Sequence, residues 1–282
     1  MAEIFGFDAY APKEIADRVE TIGVAKARLP LLSQVALGVL AGGFIGLGAL
    51  YFTLVTSDTA LSFAVSRLLG GLVFSLGLIL VVIAGAELFT GNNLLVLAWA
   101  SRRITTRELL CNWLIVYFAN FAGALGLVAL VYLSNHGQMN GAGVGIQAVK
   151  IAAAKASLPF AEAFFKGVLC NILVCLAVWL ALAGRSIVDK ICAIIFPISA
   201  FVAAGFEHSV ANMYFIPLGI LLKDRVPAGA VEHLDWSSLW TNLLPVTLGN
   251  IVGGALLVAL VYSFIYQRGT AGRKSEQLPP RR

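Results

Sequence analysis

Charge is scarce in this chain: Asp, Glu, Lys and Arg make up 12% of its 282 residues, about half the share of a soluble domain. So little charge cannot solvate a globular surface, and with 59% hydrophobic residues and a mean hydropathy of +0.88 the sequence reads as an integral membrane protein. Cysteine is sparse as well. Cys111, Cys170, Cys175 and Cys192 all fall in apolar runs, which argues against disulfides or a structural metal and for small buried hydrophobes. Of three histidines, only His208 lies inside an apolar run, so a two-histidine haem site is excluded. Ser209 sits about 100° from His208 on a helix and no nucleophile elbow accompanies it, which leaves no serine hydrolase. No enzyme, cofactor, metal or nucleic-acid partner is expected. A secretory leader is also missing from this reading, because the first apolar run begins near Leu31, after the charged stretch Lys13 to Arg28.

What is present is a series of long apolar runs: Leu31 to Val55, Leu68 to Ala100, Leu109 to Leu133, Phe160 to Ala183, Ile191 to Leu222 and Leu243 to Tyr266. The second and fifth are too long for one straight span, at about 50 Å against a hydrocarbon core of about 30 Å, and too short for two. Each is therefore expected to be broken midway, where polar residues interrupt it: "GAELFTGNN" (85 to 93) and "GFEHSVANM" (205 to 213). Irregular backbone is tolerated at that depth only where protein or a cavity satisfies its N–H and C=O groups. Six spans place both termini on one side of the bilayer. Fourteen Lys and Arg residues fall on that side and six on the other, which orients the termini to the cytoplasm.

The two breaks resemble each other. "AGAELFTGN" (84 to 92) aligns without gaps on "AGFEHSVAN" (204 to 212), and the following spans pair Asn112 with Asn242, Asn120 with Asn250 and Gly123 with Gly253. Units of three spans, an odd number, run oppositely through the membrane. Inverted repeats with broken spans are an architecture of channels and secondary transporters, with the solute path near the pseudo-two-fold axis. In this frame Glu87 and Glu207 read as helix-break support, accepting hydrogen bonds from exposed backbone N–H groups. His208 stands opposite Leu88, so the structural repeat does not require it. An intramembrane ionisable residue at a break facing the path is read as functional.

At these motifs the sequence resembles the formate/nitrite transporter family. "AGAELFTGN" is similar to its first signature, "GVLCNILVCLA" (167 to 177) to its second, and "EHSVANMY" to its pore-histidine segment. The resemblance implies an aquaporin-like, all-α homopentamer with a pore in each protomer, moving a small monovalent anion such as formate, nitrite or hydrosulfide. Formate is favoured by similarity to the formate branch, including the long N-terminal segment. The resemblance also implies roles. His208 and Thr90 match the polar centre, and Leu78, Leu88, Phe89 and Phe201 the apolar constrictions, with Phe74 added at the outer one. Lys155 matches a vestibule lysine, while Asn171 and Asn250 match polar path positions that interhelical hydrogen bonding would explain equally.

The expected organisation is a cytoplasmic amphipathic segment over 1–30, a six-span channel domain over 31–267, and a basic cytoplasmic tail over 268–282. Within the first, "PKEIADRVETIGVAKARL" (12 to 29) sets Ile15, Val19 and Ile22 opposite Lys13, Asp17, Arg18 and Glu20, the pattern of an interfacial helix. By the resemblance it would be an acid-sensitive gate, with Glu14, Asp17 and Glu20 holding basic loop residues such as Arg102 and Arg103. Gly38, Gly42 and Gly46, four apart, are expected at close helix contacts.

Overall fold

The computed structural model describes residues 9–227 and 233–266, and every regular element among them is helical. The basic tail 268–282 and residues 1–8 lie outside the described residues. Helix α1 (Pro12–Ala27) precedes a first span, α2 (Leu31–Thr56). The second span enters as α3 (Phe63–Gly85), breaks, and leaves as α4, a 3₁₀ turn at Gly91–Leu95 continuing as Val96–Ala100. The third span is α5 (Thr106–Leu133). A short helix α6 (Gly143–Ala156) is followed by α7 (Phe160–Ala183), the broken pair α8 (Ile187–Ala204) and α9 (Ser209–Leu222), and α10 (Trp236–Tyr266). Among the described residues six helices are long and apolar enough to cross a membrane, and both expected breaks are present.

The repeat is therefore five elements long rather than three spans: α1 to α5 correspond to α6 to α10. Helix α6 went unread in the sequence because it is only 14 residues long, about 21 Å, short of a span. It lies along α9 and is covered by protein. Four helices also start earlier than their apolar runs, α5 among them, capped by Thr105 through the Glu108 N–H. Polar residues before those runs begin them: Ser62 precedes α3, Ser186 caps α8 through the Asp189 N–H, and Asp235 caps α10 through the Ser238 N–H.

Small residues set the helix spacing. A methyl group added at Gly42 would overlap the Asn120 carbonyl of α5, and one at Gly123 the Val39 carbonyl of α2. In the second unit, Gly253 stands in the same way against the Val168 carbonyl. These contacts are within the protomer, so Gly42→Leu is expected to yield no monodisperse protein on size exclusion in detergent. Wild-type elution and melting would contradict this packing. Cys170 and Cys175 are buried as expected, whereas Cys111 and Cys192 are exposed on the outward faces of α5 and α8.

Helix α1 does more than rest on a membrane surface. Ile15, Ala16, Val19 and Gly23 are buried against the α4 region, with Gly23 facing Leu95 and Ala98, while Ile22 faces a cavity. Of the three carboxylates expected to hold basic loops, Glu20 does so, with Oε1 2.8 Å from Arg103 Nη1 and Oε2 accepting from Ser101 Oγ. Glu14 instead accepts from the Ala11 N–H at the helix start.

Candidate functional site

Both breaks are built alike. The incoming helices α3 and α8 end on glycines in the left-handed region, Gly85 at φ 81° and Gly205 at φ 73°, which a side chain would disfavour. The residue after each glycine donates its N–H back five positions, Ala86 to the Val81 carbonyl and Phe206 to the Phe201 carbonyl, closing the helix end.

One asparagine then clamps each break. Asn120 Nδ2 donates to the Gly38 and Glu87 carbonyls, both at 2.8 Å, and its Oδ1 accepts from the Phe89 N–H at 2.9 Å. Asn250 repeats the pattern with the Gly167 carbonyl (2.8 Å), the Glu207 carbonyl (3.0 Å) and the Ser209 N–H (2.9 Å). Asn171 Nδ2 donates to the Asn250 and Thr90 carbonyls. Asn250 and Asn171 are thus fully buried and line neither cavity described below. Both asparagines hold the breaks.

The carboxylates do something the sequence reading did not anticipate. Neither takes a backbone N–H of the break; each anchors a buried polar circuit. Glu87 accepts from Lys26 Nζ (2.7 Å) and Asn92 Nδ2 (2.7 Å); Asn92 reaches Asn112, which donates to the Lys26 carbonyl. In the second unit Glu207 accepts from Lys155 Nζ (2.8 Å) and Asn212 Nδ2 (2.6 Å); Asn212 reaches Asn242, which donates to the Lys155 carbonyl. A carboxylate buried this deeply needs a cation more than it needs an N–H. Lys155 is accordingly a charge paired in the protein, not a solvated loop lysine, and Lys26 is its counterpart. The spaced asparagines were visible in the sequence, but the lysine–carboxylate pairings were not, because the lysines sit on α1 and α6, outside the aligned stretches.

At the centre the symmetry fails. His208 N-caps α9, its Nδ1 accepting from the Ala211 N–H at 3.0 Å, and its Nε2 lies 2.9 Å from Thr90 Oγ1. With Nδ1 an acceptor, the neutral ring carries its proton on Nε2 and donates it to Thr90. The threonine hydroxyl keeps its own hydrogen for another acceptor. The Phe201 ring stacks over the imidazole at 6.0 Å, and Phe74 meets Phe201 edge-on at 5.7 Å.

Two cavities approach this centre from opposite sides. One, of about 460 Å³, is lined by Phe74, Phe201, His208, Lys155 and residues of α6, and is called here the α6-side vestibule. The other, of about 450 Å³, is lined by Leu78, Leu88, Glu87, Asn92, Lys26 and residues of α1. They share no lining residue. Thr90 lies between them, fully buried. Phe89 lines neither, its ring packed edge-on against Tyr117 at 4.9 Å. Leu88 lines the α1-side cavity, whereas the Phe89 ring packs on Tyr117.

A profile of the formate/nitrite transporter family matches residues 13–264. The chain is 43% identical over 274 residues to the formate channel FocA of Escherichia coli (strain K12), spanning 93% of this chain and 96% of that one. It is 38% identical over 270 residues to the formate channel FocA of Haemophilus influenzae, spanning 91% and 95%. Among solved structures, a pentameric formate channel with formate bound superposes with a TM-score of 0.79 at 41% identity, over 84% of this chain and 98% of that one. An FNT family ion channel gives 0.80 at 29% identity, over 89% and 98%.

Proposed function

Because the chain belongs to the formate/nitrite transporter family, we propose that each protomer is a conduit for small monovalent anions and that formate is its substrate. The observation that carries this reading is the Thr90–His208 pair, 2.9 Å apart between two facing vestibules. The names of the relatives favour formate and a transport protein rather than an enzyme. The pentamer of the related formate channel is the proposed assembly here, with an independent path in every protomer. The excess of Lys and Arg on the α1 side supports a multi-pass protein of a bacterial inner membrane with cytoplasmic termini. The α6-side vestibule then faces outward. In this reading 1–30 is the cytoplasmic segment, 31–267 the channel and 268–282 the tail.

Formate entering either vestibule loses water against Phe74 and Phe201 on one side, or Leu78 and Leu88 on the other. An unpaired carboxylate is heavily penalised in such surroundings, whereas neutral formic acid is not. The Thr90 hydroxyl positions the carboxylate, and the imidazole is the group beside it that can take up a proton. Capping and protonation at Nδ1 are mutually exclusive, so charging His208 requires the first turn of α9 to release its cap. This links proton loading to movement of the break and gives export together with pH-dependent import. Substrate is tested by counterflow in proteoliposomes with formate, nitrite, hydrosulfide and lactate. Formate is expected to exchange fastest; a formate rate equal to that of protein-free vesicles would overturn the reading.

Helix α1 stands at the inner mouth, with Lys26 in the Glu87 circuit and Glu20 on Arg103. Deleting residues 1–28 is expected to change formate flux more at low internal pH than at neutral pH, since acid weakens carboxylate contacts. An equal effect at both would remove the gating role.

A further inference from the structure

The α6-side vestibule contains three cations, Arg67, Lys155 and Lys166. Lys155 is paired with Glu207 at 2.8 Å and Lys166 with Glu162 at 2.6 Å. Arg67, in the first turns of α3, has no carboxylate partner among the described residues. Its Nε donates to the Ala203 carbonyl at 2.9 Å, just before the α8–α9 break, and its guanidinium carbon lies 5.9 Å from the centre of the Phe63 ring. That anchor fixes the plane of the guanidinium while leaving the Nη groups unengaged by protein. The break also makes room for it: a Cβ at Gly205 would stand 2.7 Å from Arg67 Nη2.

The repeat strengthens the point. The register that sets Glu87 on Glu207 sets Arg67 on Ile187, and Gly85, the counterpart of Gly205, has nothing within 4 Å of its Cβ position. The scaffold therefore does not need an arginine there. Like His208, it is a departure from the duplicated frame, and it lies in the same vestibule.

We propose that Arg67 forms an anion-capture site in the α6-side vestibule, holding a planar carboxylate or similar small oxyanion on its Nη groups before the Phe74–Phe201 constriction. A guanidinium presents parallel N–H donors that match the two oxygens of such an anion, and its charge does not titrate. The Lys155–Glu207 pair is close to neutral as a unit, which leaves Arg67 as the cation that draws anions in. Capture at the mouth is binding made before the barrier. It lowers the concentration needed to fill the path without changing the rate of crossing once filled.

The site rests on the formate reading, and the test separates the two. Initial formate uptake into proteoliposomes is measured against formate concentration for wild type, Arg67→Gln and Arg67→Lys. Arg67→Gln is expected to raise the half-saturating concentration about fivefold at an unchanged maximal rate, and to flatten the fall of uptake with added salt. Arg67→Lys keeps the charge but loses the fork, and is expected to give about a twofold rise. An unchanged half-saturation in Arg67→Gln, or a reduced maximal rate alone, would overturn the site and leave Arg67 as a brace for the Ala203 carbonyl. If Arg67→Gln does not fold, Arg67→Lys decides: a raised half-saturation supports the site and an unchanged one overturns it. A wild type that carries no formate sinks the formate reading instead, and the same comparison is then made with nitrite.

Discussion

Replacing His208 with asparagine is expected to leave formate flux flat, within about twofold, across pH ~5 to 8, an interval bracketing the model histidine value over which wild-type flux is expected to depend on pH. Asparagine keeps a polar side chain able to cap α9, but it cannot take up a proton. Among the described residues, no other titratable side chain is hydrogen-bonded to the Thr90 hydroxyl or to the imidazole. Glu207 is committed to Lys155 and Asn212, and Glu87 to Lys26 and Asn92. Lys155 approaches from α6 and is held by Glu207; Thr90 and the Phe201 ring complete the contacts of the imidazole. Uptake and current in liposomes at matched protein density read the outcome. A pH profile in His208→Asn that matches the wild type would make the imidazole a helix cap and nothing more.

The second large effect concerns stability. Asn250→Leu keeps the approximate volume but strips partners from the Ser209 N–H, the Glu207 carbonyl and the Gly167 carbonyl. These groups lie in the protein interior, where an unsatisfied backbone group costs about 1–3 kcal/mol. Together they amount to about 5 kcal/mol, enough to lower the melting temperature by roughly 10 °C or more. Asn120→Leu removes the corresponding bonds from the first break and is expected to act alike. Thermal melts in detergent check both. A Tm within about 2 °C of wild type would mean that water or relaxation satisfies the break, and that the asparagines are not its clamps.

Much of this architecture was legible because polar residues are conspicuous in an apolar chain. Run lengths exceeding one span gave away the breaks, and the paired Glu87/Glu207 and Asn120/Asn250 gave away the repeat. His208 stood out because its counterpart is Leu88. The rest lay beyond periodicity. Lys26 and Lys155 reach their carboxylates from helices that precede the aligned spans, at different loop distances, so no gapless comparison pairs them. Helix α6 carries two lysines and is too short for a span, so it reads as loop. The surroundings of a side chain within a break are equally hidden, since Leu88 and Phe89 are both apolar, yet one lines a cavity and the other packs on Tyr117. Arg67 carries no motif that marks it in the sequence; its anchor on Ala203, and the lack of a carboxylate partner among the described residues, are visible only in the fold.

Most directly at stake is whether formate crosses the constrictions together with a proton. Wild-type proteoliposomes held at pH ~5.5, about one unit below the ordinary imidazole value, are given external formate while internal pH and labelled formate are followed. The assay is run with and without a potassium–valinomycin shunt of the membrane potential, and protein-free vesicles are subtracted. The account expects protein-dependent acidification in step with formate entry, at a rate the shunt does not change. Uptake that stalls without the shunt and leaves internal pH unmoved would show a bare anion crossing, and would contradict it.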